Sequence, residues 1–296
     1  MVLTNTLRFI VNHPVNQHNK LAAIKRYFRW QIGSRLLSGQ VVHEWVNGAR
    51  FLVRAGETGL TGNIYTGLHE FEDMGFLLHY LRADDLFVDV GANVGSYTVL
   101  AGAAVGARCY SFEPVPETFA RLVDNARLNR LDDRARCVNV GVGAEDGELW
   151  FSSELDTVNH VLAAGETSAQ AVKVKVASLD SLLGDESPGL IKIDVEGFET
   201  PVLDGAQAVL RRPSLQAVIM ELNGSGTRYG FDEQKILARM ADYGFGTYSY
   251  NPQGRTLVNL HGKNVESGNT LFIRDEASVL VRLRAAPRVE ILSASF

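Results

Sequence analysis

The stretch that most constrains this chain is Leu86-Phe87-Val88-Asp89-Val90-Gly91-Ala92-Asn93-Val94-Gly95-Ser96-Tyr97-Thr98. Its first five residues are apolar apart from one carboxylate, the composition of a strand buried on both faces. Gly91 and Gly95 let the backbone bend and a ligand approach, and the small and apolar residues from Ser96 to Ala104 suit a helix. Strand, glycine-spaced turn and helix in that order form the nucleotide cradle of open α/β sheets.

The spacing narrows the ligand. A dinucleotide site wants Gly-x-Gly-x-x-Gly, but Asn93 stands at the second glycine. Asp89, two residues before Gly91, repels a diphosphate and attracts a cation. Glu113 follows a second strand, Ala107 to Phe112, near the offset at which an acid meets a ribose hydroxyl. A cationic head joined to a ribose describes S-adenosylmethionine, with Asp89, Gly91, Asn93, Gly95, Thr98 and Glu113 as candidate contacts.

The 296 residues, 46% of them hydrophobic, suffice for one large α/β domain with an appendage. A net charge of −5 argues against a general grip on nucleic acid, which needs clustered Lys and Arg. Cys109 and Cys137 lie in strand-like segments, so neither a disulfide framework nor a cysteine zinc site is expected. No run reaches the roughly 18 apolar residues of a spanning helix. The N-terminus lacks a basic-then-apolar signal pattern, and a cytoplasmic location is the expectation.

Residues 18–37 place Leu21, Ile24, Phe28, Ile32 and Leu36 three or four apart among Lys20, Lys25, Arg26, Arg29 and Arg35. This amphipathic basic helix is expected to pack on its own domain with a solvated cationic face, contact with a membrane surface or partner being its lesser use. Stable membrane insertion is not expected. Val41–Val46 and Arg50–Arg54 flank Asn47-Gly48, a hairpin signal. Residues 1–67 therefore read as an appendage of helix and hairpin, 68–274 as the main domain with an insertion at about 145–178, and 275–296 as a tail broken at Pro287.

In the main domain, helices are expected at 70–82, 95–104, 116–129, 199–211 and 232–243. Strands are expected at 86–90, 107–112, 135–140, 190–194, 216–222, 246–250 and 269–274. The result is a Rossmann-like, mostly parallel seven-stranded sheet with helices on both faces. The polar stretch Ser153–Gln170 between two alternating runs is positioned to cover a substrate.

A second signature, Leu190-Ile191-Lys192-Ile193-Asp194-Val195-Glu196-Gly197-Phe198-Glu199, runs from a buried strand into a carboxylate-rich loop at the same sheet edge. Asp194 and Glu196 are the first candidates for a general base, since crowding among acids raises a carboxylate's pKa. His160 is the second, with an unperturbed pKa near 6.5. Asp194 and Glu196 with Glu221, at the end of the next strand, also offer hard oxygen ligands to Mg²⁺, although no metal site is assigned.

Together with Phe112-Glu113-Pro114 and Ser178-Leu179-Asp180-Ser181-Leu182, these signatures resemble the FkbM family of S-adenosylmethionine-dependent methyltransferases over roughly residues 65–250. The resemblance implies the class I methyltransferase fold and O-methylation of hydroxyls on sugars, polyketides or other secondary metabolites. It also implies that Gly91, Asn93 and Gly95 line the methionine part, Glu113 the ribose, and Gly141 with Val142 the adenine edge. The expected partner is a small hydroxylated acceptor, and a homodimer is compatible with the sequence. An NAD-dependent dehydrogenase and a non-catalytic binding protein are the competing readings, the first disfavoured by Asn93 and Asp89.

Overall fold

The computed structural model describes residues 2–37, 39–153, 159–163 and 165–296. The chain opens with α1 (Val2–Asn12) and α2 (Lys20–Leu36), then the hairpin β1 (Val41–Glu44) and β2 (Arg50–Val53), α3 (Thr58–Thr66) and α4 (Phe71–Tyr80). Asn47 and Gly48 turn the hairpin with φ of 52° and 80°, a left-handed pair that Asn-Gly adopts at little steric cost.

Strands and helices then alternate: β3 (Leu86–Val90), α5 (Ser96–Val99, prolonged by a wider helical turn to Val105), β4 (Arg108–Phe112), α6 (Pro116–Leu128) and β5 (Ala135–Val138). β6 (Gly141–Gly143), β7 (Gly147–Phe151) and β8 (Val172–Ser178) form a separate three-stranded sheet. After α7 (Leu179–Leu183) come β9 (Leu190–Ile193), α8 (Glu199–Asp204), α9 (Gln207–Leu210), β10 (Ala217–Glu221) and α10 (Glu233–Asp242). β11 (Gly246–Asn251), β12 (Thr256–Asn259), β13 (Asn269–Ile273), α11 (Glu276–Arg284) and the small hairpin β14 (Glu290–Ile291) and β15 (Ala294–Ser295) complete the chain.

The main sheet runs β12-β11-β13-β10-β9-β3-β4-β5. It is the expected Rossmann-like sheet with two corrections. It has eight strands rather than seven, because Thr256–Asn259 adds an edge strand too short and too exposed to leave an apolar signal. It is also mixed: neighbours from β10 to β5 are parallel, whereas β13, β11 and β12 pair antiparallel. The expected helix 199–211 is interrupted at Gly205, where a Cβ would lie 2.0 Å from the Gly143 carbonyl oxygen. Asp180 restarts it, its carboxylate accepting the backbone N–H groups of Ala208 and Val209 at 2.9 Å each.

Alternation along β3 sends Phe87 to one face of the sheet and Leu86, Val88 and Val90 to the other. The Phe87 face packs on α4 and on the N-terminal segment: Ile10, Val15, Leu60 and Phe76 belong to the same apolar cluster. Residues before Gly67 thus share the main core. The apolar stripe of α2, expected to pack inward, faces out: Leu21, Phe28, Ile32 and Leu36 are exposed, while Ala23 and Tyr27 are buried. Tyr27 meets Tyr65 of α3 with ring centroids 5.1 Å apart, so small and aromatic residues make the inner face.

Candidate functional site

Strand order reverses between β3 and β9, which is where open sheets bind ligands. The two signature loops leave the sheet side by side there. Asp194 donates its backbone N–H to the Val90 carbonyl at 3.0 Å. Gly91 has φ of 79°, and a Cβ on it would stand 1.8 Å from the Asp194 carbonyl oxygen. Close backbone packing of one loop on the other, as well as turn conformation, therefore demands glycine at this position.

The turn's amides are already engaged. Gly91 and Ala92 donate to the Phe112 carbonyl at 3.0 Å, Asn93 donates to Glu113 Oε2 at 2.9 Å, and Val94 donates to the Asn93 side chain at 2.7 Å. Asn93 itself has φ of 50°, a conformation that asparagine tolerates better than most residues. No diphosphate could draw on these donors without breaking the turn. Glu113 also accepts the Val115 N–H at 2.9 Å, so it clamps the turn while it faces the cavity.

A cavity of about 720 Å³ opens over this edge. Asp89, Gly91, Asn93, Glu113, Gly141 and Val142 line it, as do Asp194, Glu196 and Glu221. Gly95 and Thr98 are not among its lining residues. Gly95 begins α5 with φ of 90° and lies against Leu122, its built Cβ falling 2.6 Å from Leu122 Cδ1. Thr98 donates its hydroxyl to Asp89 Oδ2 at 2.7 Å and lies 2.7 Å from Ser111 Oγ, holding Asp89 in place from behind.

Burial raises several of these acids. Asp89 is pushed up to about 6 by desolvation, with Lys192 opposing, and Glu113 to about 7 by desolvation against its two backbone hydrogen bonds. Lys192 Nζ donates to Asp194 Oδ2 at 2.5 Å and lies 4.6 Å from the Tyr97 ring centroid. Burial opposes its charge, but Asp194, Glu70 and Asp89 more than offset that, and its pKa is raised.

One carboxylate oxygen from each of Asp194, Glu196 and Glu221 lies within 4.8 Å of the others. Desolvation, then the Asp194 charge, lifts Glu196 to about 7. Desolvation, then Asp194 and Glu196, lifts Glu221 to about 9. Glu221 Oε2 is buried with no hydrogen-bond partner among the described residues. Glu196 is held at φ of 53° beside Gly197, whose N–H donates to Glu199 at 3.1 Å, so Glu199 braces the loop.

His160 is not brought to the cavity wall, although Asn159 and Val161 reach it. Its Nε2 lies 2.9 Å from Glu166 Oε1, and its backbone N–H donates to Ser152 Oγ at 3.0 Å. Part of the polar stretch expected to cover a substrate, 154–158 and 164, falls outside the described residues.

Sequence reasoning missed the opposite wall. Asn5, Thr6 and Phe9 of α1 and Leu60, Gly62 and Tyr65 of α3 line it. It also missed a buried polar network in which Tyr97 donates to Glu70 Oε2 at 2.7 Å and Asn269 donates to Glu70 at 2.9 Å and to Asp73 at 3.0 Å. The acidic pair at the start of an apolar helix, Glu72-Asp73 after Glu70, was its only signal.

Residues 89–246, more than half of the chain, match the model of the methyltransferase FkbM domain. The hexuronic acid methyltransferase AglP of Haloferax volcanii is 28% identical over 155 residues, which cover 50% of this chain and 59% of that protein. The 31-O-demethyl-FK506 methyltransferase FkbM of Streptomyces tacrolimicus is 26% identical over 217 residues, covering 59% of this chain and 78% of that protein. Among solved structures, a methyltransferase FkbM from Methylobacillus flagellatus KT aligns with a TM-score of 0.43 at 18% identity, over 72% of this chain and 52% of that one. The precorrin-6y C5,15-methyltransferase of Geobacter metallireducens GS-15 gives 0.41 at 13% identity, over 75% and 92% of the two chains. On the domain match, this chain belongs to the FkbM methyltransferase family.

Proposed function

We propose that this protein methylates a hydroxyl of a sugar or secondary metabolite, using S-adenosylmethionine. The observation that carries the reading is that a single cavity of about 720 Å³ is bounded both by the Asp89–Asn93 turn with Glu113 and by the Asp194, Glu196 and Glu221 carboxylates. The names of two relatives, one specifying a hexuronic acid and one an O-demethyl substrate, support an oxygen acceptor.

The residues present fit the cofactor. Asp89, buried and destabilised as an anion, answers a cationic amino-acid head, while Glu113 keeps lone pairs for a ribose diol. Gly141 and Val142, with Val115, offer the small and apolar wall an adenine needs. When bound, S-adenosylmethionine supplies an electrophilic methyl group on its sulfonium.

The chain's own task is to orient the acceptor and take its proton. Glu196 is the base. Asp194 is occupied by Lys192, whose ammonium donates to it at 2.5 Å, and Glu221, lifted to about 9 by desolvation, keeps its proton at neutral pH. With a pKa of about 7, Glu196 is deprotonated increasingly as pH rises through neutrality. Asp194 raises that value, and Arg228, His160 and Lys192 lower it. His160, paired to Glu166 and outside the cavity lining, is not the base.

Glu196→Gln should lower kcat by about 10²- to 10³-fold with cofactor affinity retained, and wild-type kcat should climb through a limb near pH 7 that the variant lacks. An undiminished kcat in the variant would remove Glu196 from the mechanism. The proximity of the three carboxylates within 4.8 Å favours one second reading, Mg²⁺ polarising an acceptor diol. Activity lost in EDTA and restored by Mg²⁺ selects that form, and full activity in EDTA eliminates it.

A further inference from the structure

Charge is segregated along this chain. No carboxylate occurs before Glu44, yet Arg8, Lys20, Lys25, Arg26, Arg29 and Arg35 all precede it, in a protein whose net charge is −5. Most of those cations sit on α2, whose outer face also carries the exposed apolar side chains. Leu21 is 65% exposed, Phe28 47%, Ile32 61% and Leu36 79%. At 3.6 residues per turn Leu21, Phe28 and Ile32 fall on one line along the helix, with Lys25, Arg29 and Arg35 interleaved.

This face cannot turn inward. Ala23 and Tyr27 are already buried on the opposite side. Arg26 donates to Asn16 Oδ1 at 2.5 Å and to the Tyr65 carbonyl at 3.1 Å, and Gln31 donates to the Tyr65 hydroxyl at 2.7 Å. Tyr65 belongs to α3, which lines the catalytic cavity, so α2 is fixed to the body with its apolar side presented outward. Among the described residues, Lys20, Lys25, Arg29 and Arg35 form no ion pair with a carboxylate.

We infer that α2 docks this protein on a bilayer surface bearing anionic headgroups, its apolar stripe entering the boundary between headgroups and acyl chains and its cations facing lipid phosphates. The occupant follows from the chemistry of the face. Cations interleaved with exposed apolar side chains match anionic headgroups lying beside acyl chains, and the long cationic stems reach back to the headgroups while the apolar side chains enter the boundary. The complete lack of acids on the helix removes the repulsion that an anionic leaflet would otherwise impose. Among the described residues no helix is long and apolar enough to cross a membrane, and the association inferred is with the bilayer surface. The inference does not depend on methyl transfer.

The test is flotation of the full chain with vesicles of phosphatidylcholine containing roughly one third phosphatidylglycerol, against vesicles of phosphatidylcholine alone. Partitioning should be at least roughly tenfold stronger on the anionic vesicles and should weaken in raised salt. Phe28→Ser with Ile32→Ser, and separately Lys25→Glu with Arg29→Glu, should each reduce it by roughly tenfold or more while the melting temperature stays unchanged, because these side chains are exposed. Wild-type protein that does not float with anionic vesicles overturns the inference, as do apolar variants that float equally well. A wild-type dimer by light scattering that the serine variant dissolves, with no vesicle binding, would assign the face to a second copy of the chain instead.

Discussion

Gly91 shows how a residue that looks like a ligand contact is set by its neighbour. Its left-handed φ of 79° and the Asp194 carbonyl 1.8 Å from a built Cβ act together. Gly91→Ala should therefore cost about 3 kcal/mol or more in urea unfolding and abolish cofactor binding, since neither backbone can give way. An Ala variant of native stability would mean that the two loops can separate. The sequence announces the glycine but not its reason, because Asp194 is remote in the chain. Thr98 and His160 illustrate the same limit. Both side chains are of the right type for the site, yet Thr98 supports Asp89 from the rear and His160 is satisfied by Glu166. Such partners are set by tertiary packing, which spacing does not encode.

Among elements, the strands and helices around the signatures were legible because their periodicities are strong and local: β3, β4, α6, β5, β9 and β10 fall within a residue or two of expectation. What escaped was contact between elements. The N-terminal helices, read as an appendage, form a wall of the cavity, and the outward stripe of α2 was invisible to a pattern that records amphipathicity but not direction. α4 and β13 are joined through Asn269, which donates to both Glu70 and Asp73. Asn269→Leu removes one donor from each of two carboxylates, Glu70 keeping Tyr97, and should destabilise the protein by about 1–3 kcal/mol at pH 7.5. The loss should shrink at pH 5, where Asp73, lifted to about 7 chiefly by burial, is protonated. An equal loss at both pH values would show that packing, not the hydrogen bonds, holds the pair.

For the whole molecule, the concentration of buried acids sets the response to pH. Asp73, Glu113, Glu196 and Glu199 are lifted to about 7 and Glu221 to about 9, burial being the leading cause for each. Above pH 6.5 the unfolded chain has released these protons while the fold retains some, so the unfolded state binds fewer and stability declines as pH rises toward 9. Buried His13 and His79, depressed to about 4, act in the opposite sense, but only below their ordinary 6.5. The melting temperature of the ligand-free protein should fall from pH 6.5 to 9, and S-adenosylmethionine should reduce that fall by bringing a cation to the acids. A melting temperature that climbs over this range would contradict the burial of these groups. The seam between β3 and β9 also governs how the molecule is made. Phe87 pairs with Cys109 on one side and with Leu190 on the other, so the second partner of β3 emerges from the ribosome only after all the residues between β4 and β9. Until then β3 presents an open row of amides and carbonyls, an edge prone to mispairing, and the nascent chain has no grip on a cofactor.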